Sequence, residues 1–272
     1  MATFSHVLLT VFNVRVHYGG GVAPDLDWLT HRFDLFDNFC YPSVRAQTNT
    51  NFRWLVFFDT GTPAVFRKKI ECYARWQNFI PHFVDHSMGV EEFAQMKRDV
   101  IFRGMPASDY LISTSLDNDD AVSREYVAEV QRQFRGQDFE FINFTRGYAL
   151  NKATGRLYRK IDSSNPFVSL IERVEGFKTV WVASHTQLAS WGTIRQVDTK
   201  PMWLQVIHGR NVINRVGPRR RVPLRLLDSD FVLKYPYDPT IENGFMIFIE
   251  NVANKLRLLL PHGPEPIPLQ PR

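Results

Sequence analysis

The chain has little cysteine and no long apolar run. Two cysteines in 272 residues, Cys40 and Cys72, exclude a disulfide scaffold and a cysteine-based zinc site. No apolar stretch approaches the ~18–20 residues needed to span a bilayer. The stretch from Val7 to Val16 has no basic cluster before it and contains Asn13 and Arg15, so it predicts a strand and not a signal peptide. Internal repeats and low-complexity linkers are missing as well, and the setting expected from these absences is a reducing cytoplasm. Acid is missing from one segment: six arginines (Arg210, Arg215, Arg219, Arg220, Arg221 and Arg225) lie between Gly209 and Arg225 without a carboxylate. Those six belong to a total of 33 basic residues, so the rest of the chain has 27 basic against 28 acidic residues. The net charge of +5 is therefore a local patch, and its partner should be anionic.

What is present is a globular composition. With 44% hydrophobic and 22% charged residues, the chain is neither disordered nor fibrous, and it is long enough for one large domain with a full core. Phenylalanine, at 22 copies, predicts a large core or aromatic-lined grooves. Val7–Val16 ends in the glycine turn Gly19–Gly21. Leu26, Leu29, Phe33 and Phe36 then recur at helical spacing behind Pro24-Asp25, and Pro42 breaks or restarts that helix. Trp54–Phe58, Phe79–Val84, Tyr110–Leu116 and Phe139–Phe144 read as strands, with helices at 64–76, Val90–Phe102 and Ser123–Phe134 between them. Alternation of this kind calls for a parallel sheet covered by helices. The second half mixes strand-like pieces (Arg156–Ile161, Thr179–Ala183, Trp203–Ile207) with helices near Pro166–Val174 and Asn243–Leu260. The expected plan is one domain over residues 1–260, with a nucleotide half (1–145), an acceptor half (146–260) and a Pro-rich tail (261–272).

Asp117, Asp119 and Asp120 follow the strand at Tyr110–Leu116. In an open α/β sheet ligands bind beyond the carboxyl ends of the strands. Clustered carboxylates there offer hard oxygen ligands suited to Mg²⁺ or Mn²⁺ shared with substrate phosphates. The bland alternative is a solvated loop capping the next helix.

These residues carry a resemblance. "YLISTSLDNDDAV" resembles the DxD region of nucleotide-sugar-dependent glycosyltransferases with the GT-A fold, a Rossmann-like, mainly parallel α/β sheet flanked by helices. "CYPSVRAQTNTNFRWLVFFDTGTP" is similar to their helix–strand segment, and "MKRDVIFRGMPASDYL" to the Arg-containing helix before the DxD strand. "NPFVSLIE" and "MWLQVIHGRNV" narrow the likeness to a rhamnosyltransferase family, over roughly residues 5–215. The resemblance implies that Asp59 binds the base, Asp117 the ribose or diphosphate side, and Asp119 the metal, with Asp120 supporting the metal or donor sugar. It makes Arg15 and Arg98 or Arg103 candidates for the nucleotide and diphosphate, because a guanidinium fork bonds phosphate twice. It also makes His208 a late metal ligand, since neutral imidazole suits Mn²⁺.

Direct displacement at an anomeric carbon also needs a base for the acceptor hydroxyl. Glu172, Glu175 and Asp198 lie in the acceptor half, and the sequence does not choose among them. His185 is a candidate for the acceptor or leaving group. Trp203, Trp191 and Phe167 are weighed as sugar-stacking platforms against a role in the core. The implied partners are a nucleotide-sugar donor such as dTDP-L-rhamnose and a saccharide, lipid-linked or other hydroxyl acceptor. Cytoplasmic residence with peripheral contact at the inner membrane is also expected, through the arginine-rich segment. Two other classes stay open: a metal-dependent phosphohydrolase, and non-enzymatic binding of an anionic ligand or nucleic acid through that segment. No nucleic-acid fold motif is present, and Pro218 and Pro223 interrupt any basic helix.

Overall fold

The computed structural model describes residues 2–15, 25–104, 106–209, 220–237 and 242–259. The glycine turn at Gly19–Gly21, the arginines Arg210, Arg215 and Arg219, and the tail 261–272 lie outside these residues. The chain has a mixed α/β architecture, with a central, mostly parallel sheet flanked by helices, as the GT-A-like expectation required. In order, the strands are β1 (Phe4–Val11), β2 (Arg53–Asp59), β3 (Phe79–Val84), β4 (Tyr110–Ser115), β5 (Ala121–Val122), β6 (Phe139–Phe144), β7 (Arg146–Asn151), β8 (Arg156–Ile161), β9 (Ser169–Arg173), β10 (Ile194–Val197), β11 (Trp203–Ile207) and β12 (Arg221–Val222). The helices are α1 (Leu26–Leu35), α2 (Tyr41–Arg45), α3 (Ala64–Tyr73), α4 (Val90–Gly104), α5 (Tyr126–Arg132) and α6 (Gly244–Leu259).

Among the described residues, seven strands pair in the order β10-β6-β9-β4-β1-β2-β3. Every pair is parallel except the two made by β9. Parallel strands covered on both faces need apolar side chains on both faces, and β2 supplies them. Trp54, Val56 and Phe58 pack with Phe12, Phe33, Phe36 and Ile70 on one side, while Leu55 and Phe57 pack with Phe93 and Ile101 of α4 on the other. Many of the phenylalanines are core: Phe12, Phe33, Phe36, Phe39, Phe57 and Phe58 are each under 2% exposed. A smaller sheet, β12-β8-β7-β11-β5, carries a third cluster around Leu150, Leu204, Val206 and Leu227.

Pro42 restarts the first helix by way of a π-helical turn at Phe36–Cys40. A proline lacks an N–H for the carbonyl four residues back and needs room for its ring. The ladder widens so that Tyr41 N–H bonds Phe36 O, and the carbonyl of Asn38 accepts Lys234 N–H at 2.9 Å instead.

Two elements differ from their expected form. The helix expected near Pro166–Val174 is strand β9, inserted antiparallel between β4 and β6, where Leu170 and Ile171 are buried on opposite faces. The strand expected at Thr179–Ala183 is a short 3-10 turn, Val180–Val182, entered through Thr179 at φ +70°.

Phe167 and Trp203, weighed above as sugar platforms, are core residues. Their rings stack at 5.1 Å, and the Trp203 indole N–H donates to Phe144 O at 2.8 Å. Gly147 sits opposite Trp203 in the β7–β11 register, and a Cβ there would fall 2.1 Å from the indole. Because the ring is held on its other side, Gly147→Ala should cost about 3 kcal/mol, the upper end of ordinary overpacking. A urea midpoint shift at unchanged slope measures it, and a loss below about 1 kcal/mol would show that the indole is free to retreat.

Candidate functional site

The carboxyl end of β4 is where the acidic cluster lies. Asn118 pins the loop after β4 to the end of β1: its side-chain amide donates to Phe12 O at 2.9 Å and Val11 O at 3.2 Å. That leaves Asp117, Asp119 and Asp120 around one point, with a carboxylate oxygen from each within 4.8 Å of the others. Asp119 is buried. Its Oδ2 meets Arg32 Nη1 at 2.6 Å and His208 Nε2 at 2.9 Å. Asp120 Oδ1 accepts the N–H of Val206 at 2.8 Å, so β11 delivers His208 to the cluster two residues later. His208 Nδ1 lies 2.9 Å from His31 Nε2, and the tautomer with its proton on Nδ1 would present the Nε2 lone pair to a cation.

The charges are poised for a cation. Burial would raise the Asp119 carboxyl, but the His208 hydrogen bond and the Arg32 charge outweigh it and hold the pKa below the usual value. Asp120 goes the other way: burial first, then the charges of Asp119 and Asp117, push it well up. The Asp117 side chain is exposed, yet desolvation of its carboxyl by the surrounding protein, followed by the Asp119 charge, raises it to about 6. Hard oxygens from three acids and one imidazole nitrogen match Mn²⁺ or Mg²⁺, and such an ion would relieve the mutual repulsion. Among the described residues, no other group of three or more such side chains converges in this way.

The same edge of the sheet holds a second set. Arg15 Nε lies 3.2 Å from Asp59 Oδ2. Asp59 Oδ1 accepts Gly61 N–H at 2.6 Å, and Asn13 Oδ1 accepts Asp59 N–H at 3.1 Å. Gly61 is needed there, because a Cβ would stand 2.8 Å from Asp59 Oδ1 and 2.9 Å from Arg15 Nη2. These residues line a cavity of about 300 Å³ that reaches Leu26, Leu29 and Pro63.

Other candidates are placed elsewhere. Arg98 bonds Gln95 on the surface of α4, and Arg103 is exposed near the opposite end of the sheet. The inward basic residue of α4 is Lys97, between the Phe93 ring (4.5 Å) and the Trp181 ring (4.7 Å). Trp181 in turn donates to Ser115 Oγ at the end of β4. Burial lowers Lys97 to about 8. Glu172 is not at the site. It faces Leu111 near the start of β4 and accepts the N–H groups of Lys178 and Thr179 at 2.7 and 2.9 Å. Burial nevertheless pushes it up to about 7. Glu175 belongs to that same far end, beside Arg98 and Asp109. Asp198 is at the right edge but beside β10, exposed and paired with Arg146. His185 bonds Ser164 O at 2.6 Å, and Trp191 is half exposed beside Phe139 and Glu172.

Residues 162–168 run along this edge, from Thr145 O, which accepts Asp162 N–H at 2.8 Å, to Ser115 N–H, which Val168 O accepts at 3.0 Å. Asp162, missed in the sequence, thus stands at the end of β6. Its carboxylate meets Lys160 at 2.9 Å and accepts Ser164 N–H at 3.0 Å. Lys160 also donates to Gln205 of β11 at 2.9 Å.

A family model described as "Putative rhamnosyl transferase" matches residues 23–220. The chain belongs to this family. The match takes in α1, the DxD loop and His208. No curated protein matches the chain. Among solved structures, the 1–349 fragment of S. aureus TarS is 10% identical, with 74% of this chain and 60% of that one covered at a TM-score of 0.43. A "putative nucleotide-diphospho-sugar transferase" from Desulfovibrio desulfuricans G20 is 8% identical, with 94% and 98% covered at a TM-score of 0.37. HddC from Yersinia pseudotuberculosis is 8% identical, with 74% and 92% covered at 0.36. The chain therefore spans less than two thirds of the TarS fragment.

Proposed function

We propose that the chain is a cytoplasmic glycosyltransferase that moves L-rhamnose from a nucleotide donor such as dTDP-L-rhamnose to a hydroxyl of a saccharide or lipid-linked acceptor. The reaction is direct displacement with inversion, carried out by one domain over residues 1–260. The observation that carries this reading is the convergence of Asp117, Asp119, Asp120 and His208 at the end of β4, on the edge that also holds the Arg15–Asp59 cavity. Family membership supports the sugar.

Asp119 and His208 would hold Mn²⁺ or Mg²⁺, with Asp117 and Asp120 completing the carboxylate set. The ion supplies Lewis-acid neutralisation of a leaving diphosphate, worth several kcal/mol. Asp59 and Arg15 bind the nucleoside end. Lys97 replaces Arg98 and Arg103 as the cation of α4 directed toward the diphosphate. Asp162 takes the acceptor proton in place of Glu172, which is at the wrong end of the sheet, and of Asp198, which follows the edge strand β10, one strand further from β4 and its acidic cluster. The residues 162–168 cross two strand spacings between Asp162 and the end of β4, ~10 Å, which leaves room for a sugar ring between base and metal set.

A nucleotide-release screen of dTDP-, UDP- and GDP-sugars, with and without Mn²⁺, tests the function. Release from dTDP-L-rhamnose that needs Mn²⁺ and an acceptor is the expected result. Phosphate release from simple esters without sugar transfer would instead point to a phosphohydrolase. Asp59→Asn should weaken binding of the free nucleotide by about tenfold, as expected for loss of a buried charged hydrogen-bond partner. Unchanged affinity in a titration would remove Asp59 from the nucleotide site. Nucleic-acid binding finds less support: Arg221, central to the arginine-rich segment, is spent on Glu250 and Glu242.

A further inference from the structure

The last helix is amphipathic in the unexpected direction. α6 docks through its polar face. Glu250 accepts from Tyr158 Oη at 2.8 Å and Arg221 Nη1 at 2.9 Å. Asn251 exchanges two hydrogen bonds with the backbone of Arg221, at 2.7 and 3.0 Å. Ile247, one turn back, completes the inward face. At 100° per residue these three positions cluster within one third of the helix circumference. The opposite side carries Phe245, Met246, Phe248, Ile249, Val252 and Leu256, each exposed, with Phe248 at 63%. A contiguous apolar stripe facing outward, on a helix already anchored by its polar side, marks an interaction surface.

We infer that this stripe inserts into the headgroup layer of an anionic membrane, with α6 lying in the plane of the surface. Charge complementarity selects this occupant. The sequence from Gly209 to Leu259 contains nine basic and five acidic residues, so most of the chain's net positive charge is in the segment that includes α6. Arg220, Arg225 and Lys255 are exposed within it, and Arg221 is consumed in anchoring the helix. Apolar insertion combined with basic attraction is the pattern of an interfacial helix. With 16 residues, α6 is about 24 Å long, and no described helix is long and apolar enough to cross a bilayer. The helix lies on the surface and does not span it. This inference does not depend on which sugar is transferred.

Vesicle flotation of the full chain tests it, with phosphatidylglycerol vesicles and, separately, phosphatidylcholine vesicles. The wild type should float with phosphatidylglycerol, weakly with phosphatidylcholine, and less at high salt. The double variant Phe248→Glu, Ile249→Glu should lose at least tenfold of the partitioning while keeping the wild-type Tm, because both side chains point away from the core. Absence of flotation at low salt, or flotation unchanged in the double variant, would overturn the inference. So would a wild-type dimer that the double variant converts to monomer in light scattering, since a second copy would then be the occupant of the stripe.

Discussion

Asp119→Ala is expected to lower sugar transfer by about a thousandfold or more, since one lost metal ligand removes several kcal/mol of leaving-group stabilisation. Asp119 is the one acid of the cluster that touches both Arg32 and His208. Its loss therefore empties the centre of the site, removes the carboxylate from His208 and leaves Arg32 Nη1 with Asn118 Oδ1 at 3.0 Å. Breaking such a pair also costs stability, about 3–5 kcal/mol, so activity alone would be ambiguous. Asp119→Asn separates the two effects: it keeps the size and an oxygen acceptor for Arg32 but removes the charge a cation needs. The expected pattern is Mn²⁺ binding lost in both variants, seen as an unchanged free-ion EPR signal on titration. Tm should fall mainly in the alanine variant. Turnover that survives in Asp119→Asn without Mn²⁺ binding would show that Arg32, and not a divalent ion, neutralises the donor phosphates, and Mn²⁺ binding that survives would remove Asp119 from the ligand set.

The central sheet was legible because its strands are short continuous apolar runs bounded by turns, as in Trp54–Phe58 and Tyr110–Leu116. β9 has the same appearance but lies within a stretch that reads equally as a buried helix. Only its pairing with β4 and β6 settles the difference. The acidic cluster was legible because its members are adjacent in sequence. Its partners His31 and Arg32 were not, because they arrive from a helix more than eighty residues earlier through tertiary packing alone. On α4 the resemblance pointed to arginines, yet helix phase turns neighbouring Lys97 inward and leaves Arg98 on the surface. Glu172 was plausible as an acid in the acceptor half. Strand register moves it to the wrong end, where it organises the Lys178–Thr179 backbone.

Asp162→Asn should reduce kcat by about a hundredfold or more, the range for loss of a general base, while leaving nucleotide affinity within twofold. A base for a sugar hydroxyl must be ionised when the acceptor arrives, and Asp162 meets that requirement. Burial alone would raise its pKa, but the Lys160 hydrogen bond and Ser164 N–H outweigh it and hold the carboxyl below the usual carboxylate range. Lys160 is itself fixed, its ammonium 5.4 Å from the centre of the Trp203 ring and bonded to Gln205, three residues before the metal-site His208. The carboxylate is thereby oriented by the same strand that completes the metal set. A loss of kcat with donor binding intact distinguishes a base from a residue that shapes the donor pocket, for which the affinity would fall first. Asp198→Asn is the matched comparison: it removes an acid from the same edge, but one that is exposed and held by Arg146, and should change kcat less than twofold. The reverse outcome, with Asp162→Asn active and Asp198→Asn inactive, would return the proton to Asp198 and require the Arg146 pair to open when the acceptor binds.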